Sequence, residues 1–192
     1  MKNYETLNEE TGEVLNKILY SQGLPKEYRF NGQTGKFNIN GEIDKGTTLE
    51  LVPLAWRVFE AELFGRGRVD LWAEIFFIDD ENCVSAIMFN NTSVQILQKA
   101  FAKLVYQRLT LSEVKMKITT EQRKNEKAKS TYHVAVFEFE KADPDFCLMI
   151  QEFALDFPIY RADTVTSSQV QQIASKTYFE YKKAVELVEN ND

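Results

Sequence analysis

Between Thr47 and Leu63 the chain runs TTLELVPLAWRVFEAEL, the longest stretch of strand-forming residues it contains. Leu49 and Leu51 alternate with Glu50; Val52, Leu54, Trp56 and Val58 then alternate with Pro53, Ala55, Arg57 and Phe59, so the apolar phase changes near Pro53. This pattern predicts one long strand with a bulge or bend at Pro53, because proline has no N–H to give to a ladder. A bent strand of this kind can serve two curved pairings.

Val14, Leu15, Ile18 and Leu19 fall at helical spacing and are followed by Gly23 and Pro25, which predicts a short N-terminal helix within Glu10 to Tyr20. NGQTGKFNINGEIDKGTT reads as the opening strand, with Phe37, Ile39 and Ile43 on one face. Gly65-Arg66-Gly67-Arg68 makes the reversal after the long strand. Leu71 to Ile78 alternates as a third strand and continues, after a turn at Asp79 to Asn82, into Cys83 to Phe89. Thr92 with Gln95 three residues on resembles a capping box, and it opens a helix with Val94, Leu97, Phe101, Leu104 and Val105 on one stripe. Val114, Met116 and Ile118 predict a fourth strand, Glu121 to Ser130 a polar basic loop, and Tyr132 to Glu140 a fifth strand. A helix follows Pro144 and stops at Pro158. Ser167 or Ser168 opens a last helix, from Val170 to Val188, that ends in the acidic ELVENND.

Strand, long strand, strand, helix, strand, strand is the order of an OB-fold, a five-stranded Greek-key barrel in the β-rich α+β class. The expected helix lies between strands 3 and 4, with extra N- and C-terminal helices. The expected divisions are a helical lead-in over 1–34, the barrel over 35–141 and a helical extension with an acidic tail over 142–192. A mixed sheet with one covering helix is the alternative.

The formal net charge of -6 argues by itself against a nucleic-acid partner. It is unevenly spread, however. From Gly35 to Lys141 there are fifteen Lys plus Arg and fifteen Asp plus Glu, so the surplus of acid lies in the flanks. From Leu97 to Lys129 nine basic residues face three acidic ones.

Cys83 and Cys147 have no partner spacing and His133 is the single histidine, so no zinc set, disulfide or cofactor is expected. No Gly-rich phosphate loop precedes a lysine, and no catalytic pairing is recognisable; a non-enzymatic protein is expected. The N-terminus lacks an apolar signal core, and no run reaches the roughly 18 apolar residues of a membrane span. The expectation is a soluble, cytoplasmic chain.

GKFNINGEIDKGTTLELVPLAWRVF, the helix NNTSVQILQKAFAKLVYQRL and SEVKMKITTEQRKNEKAKSTYHVAVFEFE together resemble the OB-fold single-stranded-DNA-binding proteins of bacteriophages. Members of that family often carry a cysteine-containing insertion around the middle strands; here only Cys83 is present, and no metal is expected. The resemblance implies a protein that coats single strands in replication or recombination. It also implies an acidic tail that recruits other replication or recombination proteins. The C-terminal helices are expected to pack on the barrel or on another subunit.

Unspecific single-strand binding needs aromatic faces for bases and a cationic groove for phosphates. The candidates are Arg57 and Phe59 on the long strand, Trp72 and Phe76 on the next, and Arg66 and Arg68 on the loop between them. Lys115 and Lys117 on the fourth strand, and Arg123, Lys124, Lys127 and Lys129 in the following loop, complete the set. Trp56, in phase with Leu54 and Val58, is expected in the core. The competing reading is a protein-interaction or virion-associated barrel whose aromatic face meets another protein.

Overall fold

A computed structural model describes residues 1–126 and 128–164 and the two-residue strand Val170–Gln171. In chain order the elements are β1 (Glu5–Leu7), β2 (Val14–Asn16), β3 (Lys26–Asn31), β4 (Lys36–Ile39), β5 (Ile43–Gly46), β6 (Leu49–Leu51) and β7 (Pro53–Ala61). Then come β8 (Asp70–Ile78), β9 (Val84–Asn90), α1 (Thr92–Gln107), a 3₁₀ turn (Leu111–Glu113), β10 (Val114–Asn125), β11 (Ser130–Lys141), α2 (Pro144–Asp156) and β12 (Val170–Gln171).

The long run does bend at proline. β6 and β7 are separated by Val52, and the register against β8 shifts between Pro53 and Ala55. On one side of the bend β6 pairs with β10 in a three-stranded sheet ordered β11-β10-β6. On the other, β7 joins a seven-stranded sheet ordered β12-β7-β8-β9-β3-β4-β5. One bent stretch therefore belongs to two sheets.

The expected OB barrel does not form. Closing it requires the third and fifth strands of the set to pair, and the outer edge of β9 is instead taken by β3, which runs parallel to it from Lys26↔Ser85 to Arg29↔Met88. With that edge filled, β9 and β11 stay in separate sheets, and none of the three sheets among the described residues closes into a barrel. β3 lies on the 1–34 side of the expected division and is hydrogen-bonded to β4 and β9 beyond it.

The expected N-terminal helix is also replaced, by the β1–β2 hairpin, with Leu7 opposite Val14. The Asn8 side-chain oxygen accepts from the backbone N–H of Glu10 and of Thr11, and Gly12 adopts φ +72° and donates to the Asn8 carbonyl. This local turn satisfies donors that a helix would need, which is how Asn competes with helix. Of the apolar positions that pointed to a helix, Ile18 is buried while Val14, Leu15 and Leu19 are exposed.

The main core lies between the inner face of the large sheet, the small sheet and α1. It is built by Tyr28, Phe37, Trp56, Ile75, Ile87, Phe89, Val94, Leu97, Met116 and Phe137, among others. The α1 stripe buries Val94, Leu97, Ala100 and Leu104 as its spacing requires, but Val105 is exposed. No capping box starts this helix: the cap residue is Asn91, at φ +44°, and its side chain is spent on β8, accepting from the Leu71 N–H and donating to Asp70. The opposite face of the large sheet is covered by α2, capped by the Asp143 carboxylate, through Leu54, Phe76, Ala86, Ile150 and Phe153. Both faces of β7 and β8 are thus buried.

The basic loop expected over Glu121 to Ser130 is mostly strand. β10 and β11 pair in unbroken register from Val114↔Lys141 to Asn125↔Ser130. The last helix, from Val170 to Val188, and the acidic tail lie outside the described residues, save that Val170 and Gln171 pair with Phe59 and Val58. Among the described residues, no helix is long and apolar enough to cross a membrane.

Candidate nucleic-acid interface

The proposed aromatic platform is inside the protein. Arg57, Phe59 and Phe76 are at most 1% exposed and Trp72 is 3% exposed. Arg57 and Glu74 are direct cross-strand partners, and the Arg57 Nε donates to Glu74 Oε2 at 2.6 Å. Phe59 lies under the Arg57 guanidinium, whose carbon is 4.1 Å from the ring centre. Phe76 packs beneath α2. These four side chains have no face to lend to a base: α2 covers Phe76, Thr164 closes on Arg57, and Phe59 and Trp72 pack with Ala61 and Leu63, on a sheet face that strand alternation alone leaves open.

Of the strand cations, Lys115 is paired with Glu50 at 2.5 Å and with Glu140 at 3.4 Å, and Lys117 stands opposite Glu50 and Glu138. That face carries more carboxylate than ammonium. At the hairpin end Arg123 bonds Glu121 at 3.0 Å, while Lys124 and Lys129 are exposed; Lys127 lies outside the described residues. Lys124 and Lys129 take part in no ion pair among the described residues.

Arg66 and Arg68 are where the site assembles. The turn between β7 and β8 runs Leu63-Phe64-Gly65-Arg66-Gly67-Arg68, with Phe64 at φ +59°, Gly65 at +63° and Gly67 at +65°. A left-handed conformation is ordinary for glycine and costly for phenylalanine, yet the Phe64 side chain is 55% exposed. The turn is held by Asp70: Arg66 Nη1 reaches its Oδ2 at 3.2 Å and Arg68 Nε its Oδ1 at 3.1 Å, while Asn91 Nδ2 donates to Oδ1 at 2.9 Å. The Asn91 bond first, then the two guanidinium groups, hold the Asp70 carboxyl below its ordinary pKa.

Arg66 lies over the Trp72 indole, its guanidinium carbon 4.8 Å from the ring centre, and the indole Nε1 donates to the Ala61 carbonyl at 3.1 Å. Trp72 is therefore a floor that orients a cation. Phe64 meets the same indole edge-on at 5.6 Å. Beside them opens a cleft of about 460 Å³, whose walls include Arg29 and Glu27 from β3, Met88 from β9, and Arg161 and Asp163 from the segment after α2. Arg161 is gripped by Asp163 at 2.6 Å and by Glu27 at 3.2 Å, and its guanidinium carbon lies 5.9 Å from the Phe64 ring centre. Arg29 bonds Glu27 at 2.7 Å, and that bond is the main reason the Glu27 carboxyl titrates below its usual range.

No family model, no curated protein and no solved structure matches this chain.

The cleft thus joins two expected residues, Arg66 and Trp72, with three that strand and loop patterns did not single out. Arg29 sits between Tyr28 and Phe30 in KEYRFN, whose short alternation was its one available signal. Phe64 was marked by an aromatic directly before a Gly-Arg-Gly-Arg turn. Arg161, in a connection after Pro158, had none. Three guanidinium groups and a solvent-facing ring around one concavity can take a phosphate and a planar ring together.

A second polar cluster offers less. Ligand atoms of Asp79, Glu81 and Cys83 lie within 4.8 Å of one another, but the Lys26 ammonium already contacts Asp79 at 2.9 Å and Glu81 at 2.5 Å. Its positive charge sits where a cation would bind.

Proposed function

We propose that the protein binds single-stranded DNA without enzymatic turnover, through the cleft beneath the β7–β8 turn and the exposed cations at the end of the β10–β11 hairpin. The observation that supports this most is Phe64, a large aromatic side chain displayed to solvent on a strained backbone, with the Arg29, Arg66 and Arg161 guanidinium groups around the same cleft. Strain retained at an exposed aromatic residue is characteristic of ligand sites. Stacking on such a ring requires a base with a free face, which single strands supply and duplexes do not. The role fits coating of single strands in replication or recombination in the cytoplasm of a bacterial host, with partner proteins met through the acidic tail and self-association along the strand.

The test is fluorescence anisotropy of a labelled oligonucleotide, single-stranded and duplex, over a range of salt. Tighter binding of the single strand is expected, with log affinity falling by about 0.7 per neutralised phosphate for each tenfold rise in salt. Equal affinity for duplex, or no binding at low salt, excludes the role. A protein-interaction function is the second reading, favoured by Val105 and Tyr106, which stand 71% and 89% exposed on α1.

A further inference from the structure

The same cleft holds a feature that phosphate binding and stacking do not use: two carboxylates among its arginines. An ionised carboxylate only accepts hydrogen bonds, and an arginine only donates them. Arg161 and Asp163 form a fork, Nε to Oδ1 at 2.6 Å and Nη2 to Oδ2 at 2.8 Å. Each Asp163 oxygen keeps a second lone-pair direction, and the side chain is 56% exposed. Glu27, on the other side of Arg161, likewise holds one guanidinium bond on each oxygen, to Arg161 and to Arg29, but its side chain is only 24% exposed. The more accessible acceptor of the cleft is therefore Asp163, and it stands next to the guanidinium that borders Phe64.

We infer that this cleft prefers guanine, with Asp163 reading the base edge. This rests on the single-strand binding proposed above and specifies which base that site selects. A base packed on Phe64 brings its Watson–Crick edge beside the Arg161–Asp163 pair. Guanine offers two adjacent donors there, N1–H and the N2 amino group, which a carboxylate accepts as a pair, and its O6 and N7 accept from arginine. Thymine presents one donor between two carbonyl oxygens, and those oxygens face the carboxylate unfavourably. Cytosine and adenine each offer a single amino donor and fall between. Arginine alone would leave bases undistinguished on their donor edges; Asp163 makes the distinction. Asp163 is a specificity residue, while the stacking ring and the cations supply the affinity common to all sequences.

The test compares thymidine oligomers with the same oligomers carrying a few separated guanines, then with hypoxanthine in place of those guanines, which removes the N2 amino group and nothing else. The guanine oligomer is expected to bind at least about fivefold tighter than the thymidine one, the scale of a bidentate base contact, and hypoxanthine to lose most of that gain. In Asp163→Asn, where an amide donor replaces one acceptor oxygen, the ratio of guanine to thymidine affinity is expected to fall to about one. Equal binding of all three oligomers by the unaltered protein overturns the guanine preference and leaves single-strand binding standing. A preference that survives hypoxanthine or Asp163→Asn overturns the assignment to Asp163. Binding of none of the oligomers removes the parent function itself.

Discussion

Arg57 and Glu74 face each other across β7 and β8 with neither side chain exposed, and Thr164 completes the set: its Oγ1 accepts from Arg57 Nη2 at 2.8 Å and donates to Glu74 Oε1 at 2.6 Å. The Thr164 carbonyl accepts a further bond from Arg57 at 2.9 Å. A buried ion pair thereby fastens the connection after α2 to the sheet, and that connection carries Arg161 and Asp163 into the cleft. Removing one member leaves the other charge buried. Glu74→Gln or Arg57→Met is expected to cost about 3–5 kcal/mol of stability, and Arg57→Met with Glu74→Leu much less. Denaturant unfolding of the three variants checks this; a double variant as unstable as the worse single one contradicts it.

Phe64 separates strain from binding. Phe64→Gly removes a side chain from a left-handed position, so stability is expected to hold or rise by about 1 kcal/mol. Binding of a single-stranded oligonucleotide is expected to weaken by about 1–3 kcal/mol with the salt slope kept, because a stacking face is removed and no charge changes. Thermal melting and anisotropy on the same variant decide it.

Trp72 is expected to behave oppositely. It is buried, its indole nitrogen is bonded and its ring supports Arg66, so Trp72→Ala opens a cavity and costs about 3–5 kcal/mol of stability. An unchanged melting temperature with weakened DNA binding would make Trp72 a base platform after all.

This difference between neighbouring aromatics shows what the sequence made legible. Strands β7, β8, β9 and β11, the bend at Pro53 and the Gly-Arg-Gly-Arg turn follow from alternation and turn chemistry, which are local. Burial of Phe59 and Phe76 is not local: their phase is equally that of a binding face, until α2, Ile159 and Tyr160 cover Phe76 and Phe59 packs with Ala61, Leu63 and Trp72. Likewise Val14 to Leu19 carries helical spacing, but the Asn8 turn and Gly12 decide for a hairpin. Whether the barrel closes depends on which strand takes the edge of β9, a pairing between residues about sixty positions apart that no window of sequence contains. Arg66 was legible because a cation on a glycine turn is exposed whatever the fold. Arg29 and Arg161 were not, since only tertiary structure brings them beside it.

Asp70 makes the cleft sensitive to acid. Its folded pKa lies below the ordinary value of about 3.9, chiefly through the Asn91 amide and then Arg66 and Arg68, so the unfolded chain binds its proton first as pH falls. The stabilisation is full above the unfolded pKa and is lost as pH drops through the folded one. Melting temperature is expected to decline below about pH 4, and Asp70→Asn to start lower and decline less steeply over the same range. Identical pH profiles for the two proteins would remove Asp70 as the anchor of the turn.

The hairpin cations are expected to divide into two classes that composition does not distinguish. Lys115 and Lys117 stand among Glu50, Glu138 and Glu140, so reversing Lys115 crowds four carboxylates on one strand face; it should lower stability modestly and leave oligonucleotide affinity nearly unchanged. Lys124 and Lys129 are exposed at the end of the β10–β11 hairpin and hold no ion pair among the described residues, so Lys124→Glu with Lys129→Glu should leave melting unaffected. That variant should weaken binding to every sequence alike, and its log-affinity against log-salt slope should flatten by about 0.7 for each phosphate no longer neutralised. The discriminating quantity is the slope: if reversal at Lys115 flattens it as much as reversal at Lys124 and Lys129, the phosphate path runs along the strand face and not past the hairpin end.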